Sequence, residues 1–370
     1  MSFGLLKHFK DRKNGSESQV TSQHVKHIIV GHDLGAVLKL MEIRSQFPQE
    51  TVKLISPRLL SRQMLIENYQ YGVSQMRSSI ALENIYKKHF NAKFYPQAKE
   101  ATFYKDGKFH EFSGRAKSMN ILAGEEYFTH KGYKTELSGL FDQESWENLD
   151  SILSECLEVR MIESIEKSTP DDLVEIKEWK FTFKDFSKLT SENIYLSFSP
   201  KKFLNHIPHK EQLTPELIDA CTSMKIQAGI SVTWILNKEM HPFEQTLFIP
   251  QSMTHEWGHF IVEFEAYDHQ KKEQLCHILF LIQEEEAQTE ELAGKIKLMK
   301  RVLDRVFPDI EKNITRELIR FDEEMLISDV KDVAIEQIGF DYPTLKFLGQ
   351  FSPMPADLVN EKYLARTLLS

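Results

Sequence analysis

Two short stretches of this chain set chemistry-bearing residues at informative spacings. The first, His255-Glu256-Trp257-Gly258-His259, matches HExxH. On a helix, histidines four apart share a face and bind one zinc ion while the glutamate acts as general base. The run that follows, Phe260 to Tyr267, alternates in the manner of a strand. On extended backbone, residues four apart are about 13 Å from each other, too far for one zinc. The expectation is therefore a loop or strand without metal at 255–259. A zinc metalloprotease stands as the rival, with Glu284, Glu285 or Glu286 as third ligand. Those three glutamates also suit the acidic first turn of a helix.

The second stretch runs from His27 through Val30, Gly31, Asp33, Gly35 and Ala36 to Met41. A β-branched run meets a glycine turn, and helical spacing follows at Leu34, Val37, Leu38 and Met41. Thr51 to Ser56 is a further short strand. Strand, turn, helix and strand within about thirty residues make a βαβ unit and imply a parallel sheet. Ligands of such sheets sit over the carboxyl ends of the strands. Asp33 falls where the helix begins, so its carboxylate should accept the amide hydrogen bonds that a phosphate takes in other chains.

The remaining elements must hold that turn in place. Residues 101–112 read as a hairpin around Lys105-Asp106-Gly107, and 143–168 as an amphipathic helix. Asn193–Leu196 is a strand ending at a Ser-Pro turn, and Thr214-Pro215 caps a helix. Strands follow at 226–236, 260–267 and 275–282, then a helix from Glu284 to about Val306. Leu345–Gln350 is a strand reaching a glycine, before a last helix.

At 370 residues the chain has room for two or three domains. Lys and Arg total 46 against 55 Asp and Glu, a net charge of −9 that argues against a nucleic-acid partner. No run reaches the ~18 apolar residues of a membrane span. Cys156, Cys221 and Cys276 form no CxxC pair, which fits reduced thiols and a cytoplasmic setting. The first twenty residues read as a mobile polar tether.

The order of these elements resembles the flavin-containing amine oxidase family, with its protoporphyrinogen oxidase and phytoene desaturase relatives. The βαβ unit is similar to their FAD adenylate module. Residues 193–236 resemble the passage between FAD and substrate domains, and 276–310 the later strand-helix-Phe-Pro segment. "LKFLGQ", 345–350, stands where the family has its second FAD contact. The resemblance implies an α/β chain with a Rossmann-like FAD/NAD(P)-binding fold of amine oxidase type and an inserted α+β substrate-like domain. The nucleotide-binding part would combine 21–60, 170–200 and 276–370; the substrate-like part would combine 61–169 and 201–275.

Departures from the family pattern bear on the cofactor. The family-equivalent positions are Gly31, Asp33, Gly35, Ala36, Ser56, Gly349 and Gln350. Asp33 replaces the glycine that lets backbone approach the pyrophosphate, Ser56 replaces the acid that holds the ribose, and Gln350 replaces an aspartate. An Arg-Gly-Gly phosphate motif is missing from 57–63. The expectation is an eroded site with no tightly bound cofactor, in a chain that binds an unidentified small molecule or protein partner. The alternative is a working FAD-dependent oxidoreductase acting on an amine or unsaturated small molecule. No residue is singled out as catalytic.

Overall fold

A computed structural model describes residues 23–62, 64–65, 76–77, 94–96, 101–111, 132–135, 143–167, 178–242, 246–254, 258–282, 289–329 and 342–348. The first sheet begins as the sequence suggests. Strand β1 (Gln23–Val30) pairs in parallel with β2 (Val52–Ser56), and helix α1 (Leu34–Gln46) connects them. Helix α2 (Gln143–Cys156) leads to β8 (Leu157–Val159), parallel to β2. Next, β9 (Ile162–Lys167) and β10 (Trp179–Phe183) form an antiparallel ribbon that feeds β11 (Lys188–Leu196). β11 lies parallel to β1, and its far end pairs with β17 (Leu345–Phe347). The order is β8-β2-β1-β11-β10-β9, with β17 beside β11.

The second sheet has the order β16-β12-β15-β14-β13-β5-β6. Its strands are β5 (Thr102–Lys105), β6 (Lys108–Glu111), β12 (Lys225–Leu236), β13 (Thr246–Ile249), β14 (Phe260–Phe264), β15 (Gln274–Ile282) and β16 (Ile314–Asp329). β3 (Met76–Arg77), β7 (Gly132–Thr135) and β4 (Phe94–Pro96) make a small third sheet. The expected hairpin is the β5–β6 pair; Asp106 and Gly107 take φ of 52° and 79°, the left-handed backbone that a two-residue turn needs.

Each large sheet has its own core. Trp179, Phe181 and Phe183 of β10 meet Phe203 of α3 (Pro200–His206) and Leu217 and Cys221 of α4 (Pro215–Ser223). Under the second sheet, Leu298, Met299, Val302, Leu303 and Val306 form the buried stripe of α5 (Thr289–Val306). That 3–4 residue spacing turns one helix face onto Val232, Trp234, Ile278 and Phe280. Trp234 is wholly buried, and its indole Nε1 donates to Glu317 at 2.8 Å. Trp234→Phe removes that bond while Lys300 still pairs with Glu317 at 2.8 Å. It should lower unfolding free energy by about 2 kcal/mol in urea titration.

The strands fall across the expected boundaries. β8 and β9, inside the 61–169 segment, pair into the first sheet, and the expected helix over 143–168 ends at Cys156. Leu157 continues the helix's apolar spacing, which hides the switch to strand. The 276 boundary falls inside β15, and both β15 and β16 lie in the antiparallel sheet. Leu275–Ile282 is almost continuously apolar because both faces of β15 are buried, and such a run does not distinguish parallel from antiparallel pairing. Helices α3 and α4 pack into the core of the first sheet.

Candidate functional site

The site is built where β1, β2 and β11 end. Gly31 closes β1, and its N–H donates to the Ile55 carbonyl at 3.0 Å. A Cβ there would lie 2.6 Å from Cβ of Ser197 and 2.9 Å from Cβ of Ala36. The turn is therefore tight on both sides, and the small side chain of Ala36 is part of what permits it. Gly35 is buried in the first turn of α1.

Asp33 caps α1. Its backbone is extended (φ −103°, ψ 179°), and Oδ1 accepts the Ala36 N–H at 2.9 Å. Ser197, just past β11, donates its hydroxyl to the same carboxyl, lying 2.6 Å from both Oδ1 and Oδ2. The residue is exposed by area, yet protein crowds the carboxyl enough that burial is the largest influence and raises its pKa. The Ser197 and Ala36 hydrogen bonds and His32 act against that rise, and Asp322 of β16 adds to it.

Because the folded-state pKa is raised, protonation favours the fold. Stability at this site falls as pH climbs from the ordinary aspartate value of 3.8 through the raised one. Asp33→Asn keeps an N-cap acceptor and removes the charge. It should flatten that part of the pH–stability profile and leave the protein at least as stable at neutral pH, read as Tm across pH.

Ser56 is buried at the end of β2. Its Oγ donates to the Arg58 carbonyl at 2.6 Å and lies 3.2 Å from the Arg58 N–H, which it accepts. That closes a local turn and leaves a short, already engaged hydroxyl at the end of β2. Burial is the largest cause that lowers the pKa of both His32 and Arg320, and the charge of the exposed Arg58 adds to it. Gly349 and Gln350 lie outside the described residues; β17 leads toward them as the sequence suggests.

Opposite this turn stands β16. Glu324 reaches Ser199, the cap of α3: the Ser199 N–H donates to Oε2 at 3.0 Å and the Ser199 hydroxyl donates to Oε1. Ser199 Oγ in turn accepts the Lys202 N–H at 3.0 Å, and Lys202 Nζ pairs with Glu323 at 3.6 Å. Burial raises the Glu324 pKa, with Asp322 adding to the effect and Ser199 and Lys202 opposing it. Sequence reasoning reached Asp33 but not Ser197 or Glu324. The Ser-Pro turn marked Ser199 as a helix cap, and nothing local pairs it with a residue 125 positions away.

The described end of the HExxH stretch is the non-helical backbone that the sequence leads one to expect. Gly258 has φ of 105°, and residues 258–259 are non-helical backbone leading straight into β14. A helix cannot run through to His259, which is buried with its ring edge-on to Phe248. His255, Glu256, Trp257 and Glu284–Glu286 lie outside the described residues. Among the described residues, no three His, Cys, Asp or Glu side chains converge as metal ligands. No described helix is long and apolar enough to cross a membrane.

No family model and no curated protein sequence matches the chain. Solved structures do. Cyclohexylamine oxidase from Brevibacterium oxydans superposes with a TM-score of 0.59 at 10% identity, covering 93% of this chain and 96% of that one. Putrescine oxidase with bound putrescine gives 0.55 at 8% identity, over 94% and 97%. An oxidoreductase from Methanosarcina mazei gives 0.54 at 10%, over 93% and 99%. At such identities the likeness speaks to fold alone. This chain has the fold of the flavin-containing amine oxidases.

Proposed function

We propose that this protein keeps the amine oxidase fold without holding FAD tightly, and that its cleft serves to bind a small molecule or a protein partner. The observation that carries the proposal is the Asp33 carboxylate at the start of α1, held by Ala36 N–H and Ser197 Oγ. A diphosphate needs bare amides and positive potential at a helix N-terminus. Here a side chain supplies the anion and has already engaged one of those amides. Ser56, turned onto Arg58, offers the ribose no carboxylate. These residues do not fit the cofactor's diphosphate and ribose.

A second reading has one observation in its favour. The fold match and the intact packing of Gly31 against Ala36 are what an FAD-dependent oxidoreductase acting on an amine or unsaturated small molecule would keep. An absorbance scan of the purified protein separates the two, taken as isolated, after FAD is added, and after denaturation. The first reading expects no flavin bands as isolated; stoichiometric flavin released on denaturation restores the second. The three free cysteines are all buried, and we place the protein in the cytoplasm on that ground.

A further inference from the structure

We propose that the corner of the first sheet where the β8–β9 link meets the β10–β11 turn docks on an anionic phospholipid surface. Phe186, Met161 and Val159 enter the headgroup layer, and Lys184 and Lys188 meet the lipid phosphates beside them.

The corner gathers exposed apolar side chains from separate segments. Of the seven large apolar residues exposed among the described ones, three stand here: Phe186 at 80%, Met161 at 54% and Val159 at 46% exposure. Backbone and side-chain bonds tie their segments together. The Lys184 N–H donates to the Met161 carbonyl at 2.9 Å. Arg160, between Val159 and Met161, donates from Nη1 to Ser187 Oγ at 3.2 Å and lies over the Phe183 ring at 5.0 Å. Single exposed apolar residues need no explanation, whereas several on bonded neighbouring segments mark a contact surface. All three occupy a strand end, a link or a turn. Such tips suit insertion into a soft layer better than packing against a preformed face.

Phe186 is held there against the preference of the backbone. The Phe186 N–H donates to the Phe183 carbonyl at 2.8 Å, and the Phe183 N–H to the Ser187 carbonyl at 3.1 Å. This is a three-residue hairpin loop whose last member must be left-handed, a place that glycine or asparagine fills without strain. Here Phe186 takes it with φ of 65°. The other described non-glycine residues at positive φ are Asp106, Lys272 and Asp309, all polar. A bulky ring in this conformation costs energy, and at 80% exposure it gains little packing in return. Phenylalanine is among the residues that anchor a protein at the headgroup boundary.

Charge selects the bilayer as the occupant. Lys184 is exposed and Lys188 half-buried, and neither makes an ion pair among the described residues. The acids of the corner are engaged. Glu158 lies 3.2 Å from both Lys53 and Arg160. Asp185 Oδ1 accepts the Ser187 N–H at 3.0 Å and the Ser187 hydroxyl. Glu163 lies toward His206 of α3, whose pKa it raises. Two unpaired cations therefore flank the apolar tip in a chain whose net charge is −9. A Lys near an anionic leaflet is attracted to it, and the attraction is screened within about a Debye length.

The test is co-sedimentation of the full-length protein with vesicles of phosphatidylcholine alone and of phosphatidylcholine mixed with phosphatidylserine. Wild-type protein should bind the mixed vesicles, bind the neutral ones far less, and dissociate as salt is added. Phe186→Asn should weaken binding to the mixed vesicles by about tenfold or more, with Tm at or above wild type because asparagine suits the left-handed turn. Lys184→Glu should weaken binding to the mixed vesicles by about tenfold and leave the neutral ones unaffected. No sedimentation with mixed vesicles overturns the proposal, as does binding that Phe186→Asn leaves unchanged. A clear fall in Tm for Phe186→Asn would show that the ring serves the fold, and overturns it too. Self-association by light scattering that Phe186→Asn abolishes, without vesicle binding, would assign the corner to a second copy of the chain instead.

Discussion

Gly31→Ala should lower the free energy of unfolding by about 3 kcal/mol, measured by urea denaturation with unchanged m-value. The added methyl would stand 2.6 Å from Cβ of Ser197 and 2.9 Å from Cβ of Ala36. Both are the first atoms of their side chains and move only with their backbones. Those backbones are pinned: Gly31 N–H donates to Ile55 at 3.0 Å, and Ser197 N–H donates to Val30 at 2.8 Å. Relief would require parting β1 from β11 or lifting α1 from the turn. Either movement breaks sheet hydrogen bonds or opens the core around Ile28 and Ile194. Ser197→Gly removes the nearer contact, though it also strips a donor from Asp33. A double-mutant cycle between the two should therefore give a favourable coupling of about 1 kcal/mol or more. A loss below about 1 kcal/mol for Gly31→Ala would mean that the turn yields easily.

That turn was legible because every signal in it is local. Gly31 follows a β-branched run, Asp33 is a good cap residue, and the helical spacing begins at once; the structure puts the cap at Asp33. Thr214 and Pro215 are the same kind of signal, with Thr214 Oγ1 accepting the Leu217 N–H at 3.4 Å. β16 was not legible. Its sequence mixes Arg316, Glu317, Arg320, Asp322, Glu323 and Glu324 among apolar residues. The face carrying Glu317 meets Trp234, and a bulge carries Glu324 to Ser199. Charges with buried partners on both sides of a strand leave no alternation to read. The partners of the candidate site were hidden for the same reason. Ser197 and Asp33 are 164 residues apart, and only the parallel pairing of β1 and β11 brings them together.

Purified protein should carry no stoichiometric flavin, and added FAD should bind about 10²-fold to 10⁵-fold more weakly than to an intact site of this type. Separate losses along one ligand set that range. At the diphosphate, the Asp33 carboxylate holds the Ala36 N–H and repels an anion at the start of α1. At the ribose, Ser56 is buried and engaged with Arg58. Each loss is worth roughly 1–3 kcal/mol, and sites that share no partner add. Since about 1.4 kcal/mol is tenfold, two or three such losses span that range. Asp33→Gly isolates the first. Glycine is a tolerable N-cap, so the variant should fold with only a small loss beyond the Ser197 contact. It should gain no more than about tenfold in FAD affinity by fluorescence titration, because Ser56 still faces Arg58. A gain of several hundredfold would place the whole defect at Asp33. Flavin bands in the wild-type protein as isolated would show that the backbone of the turn holds the cofactor despite the carboxylate.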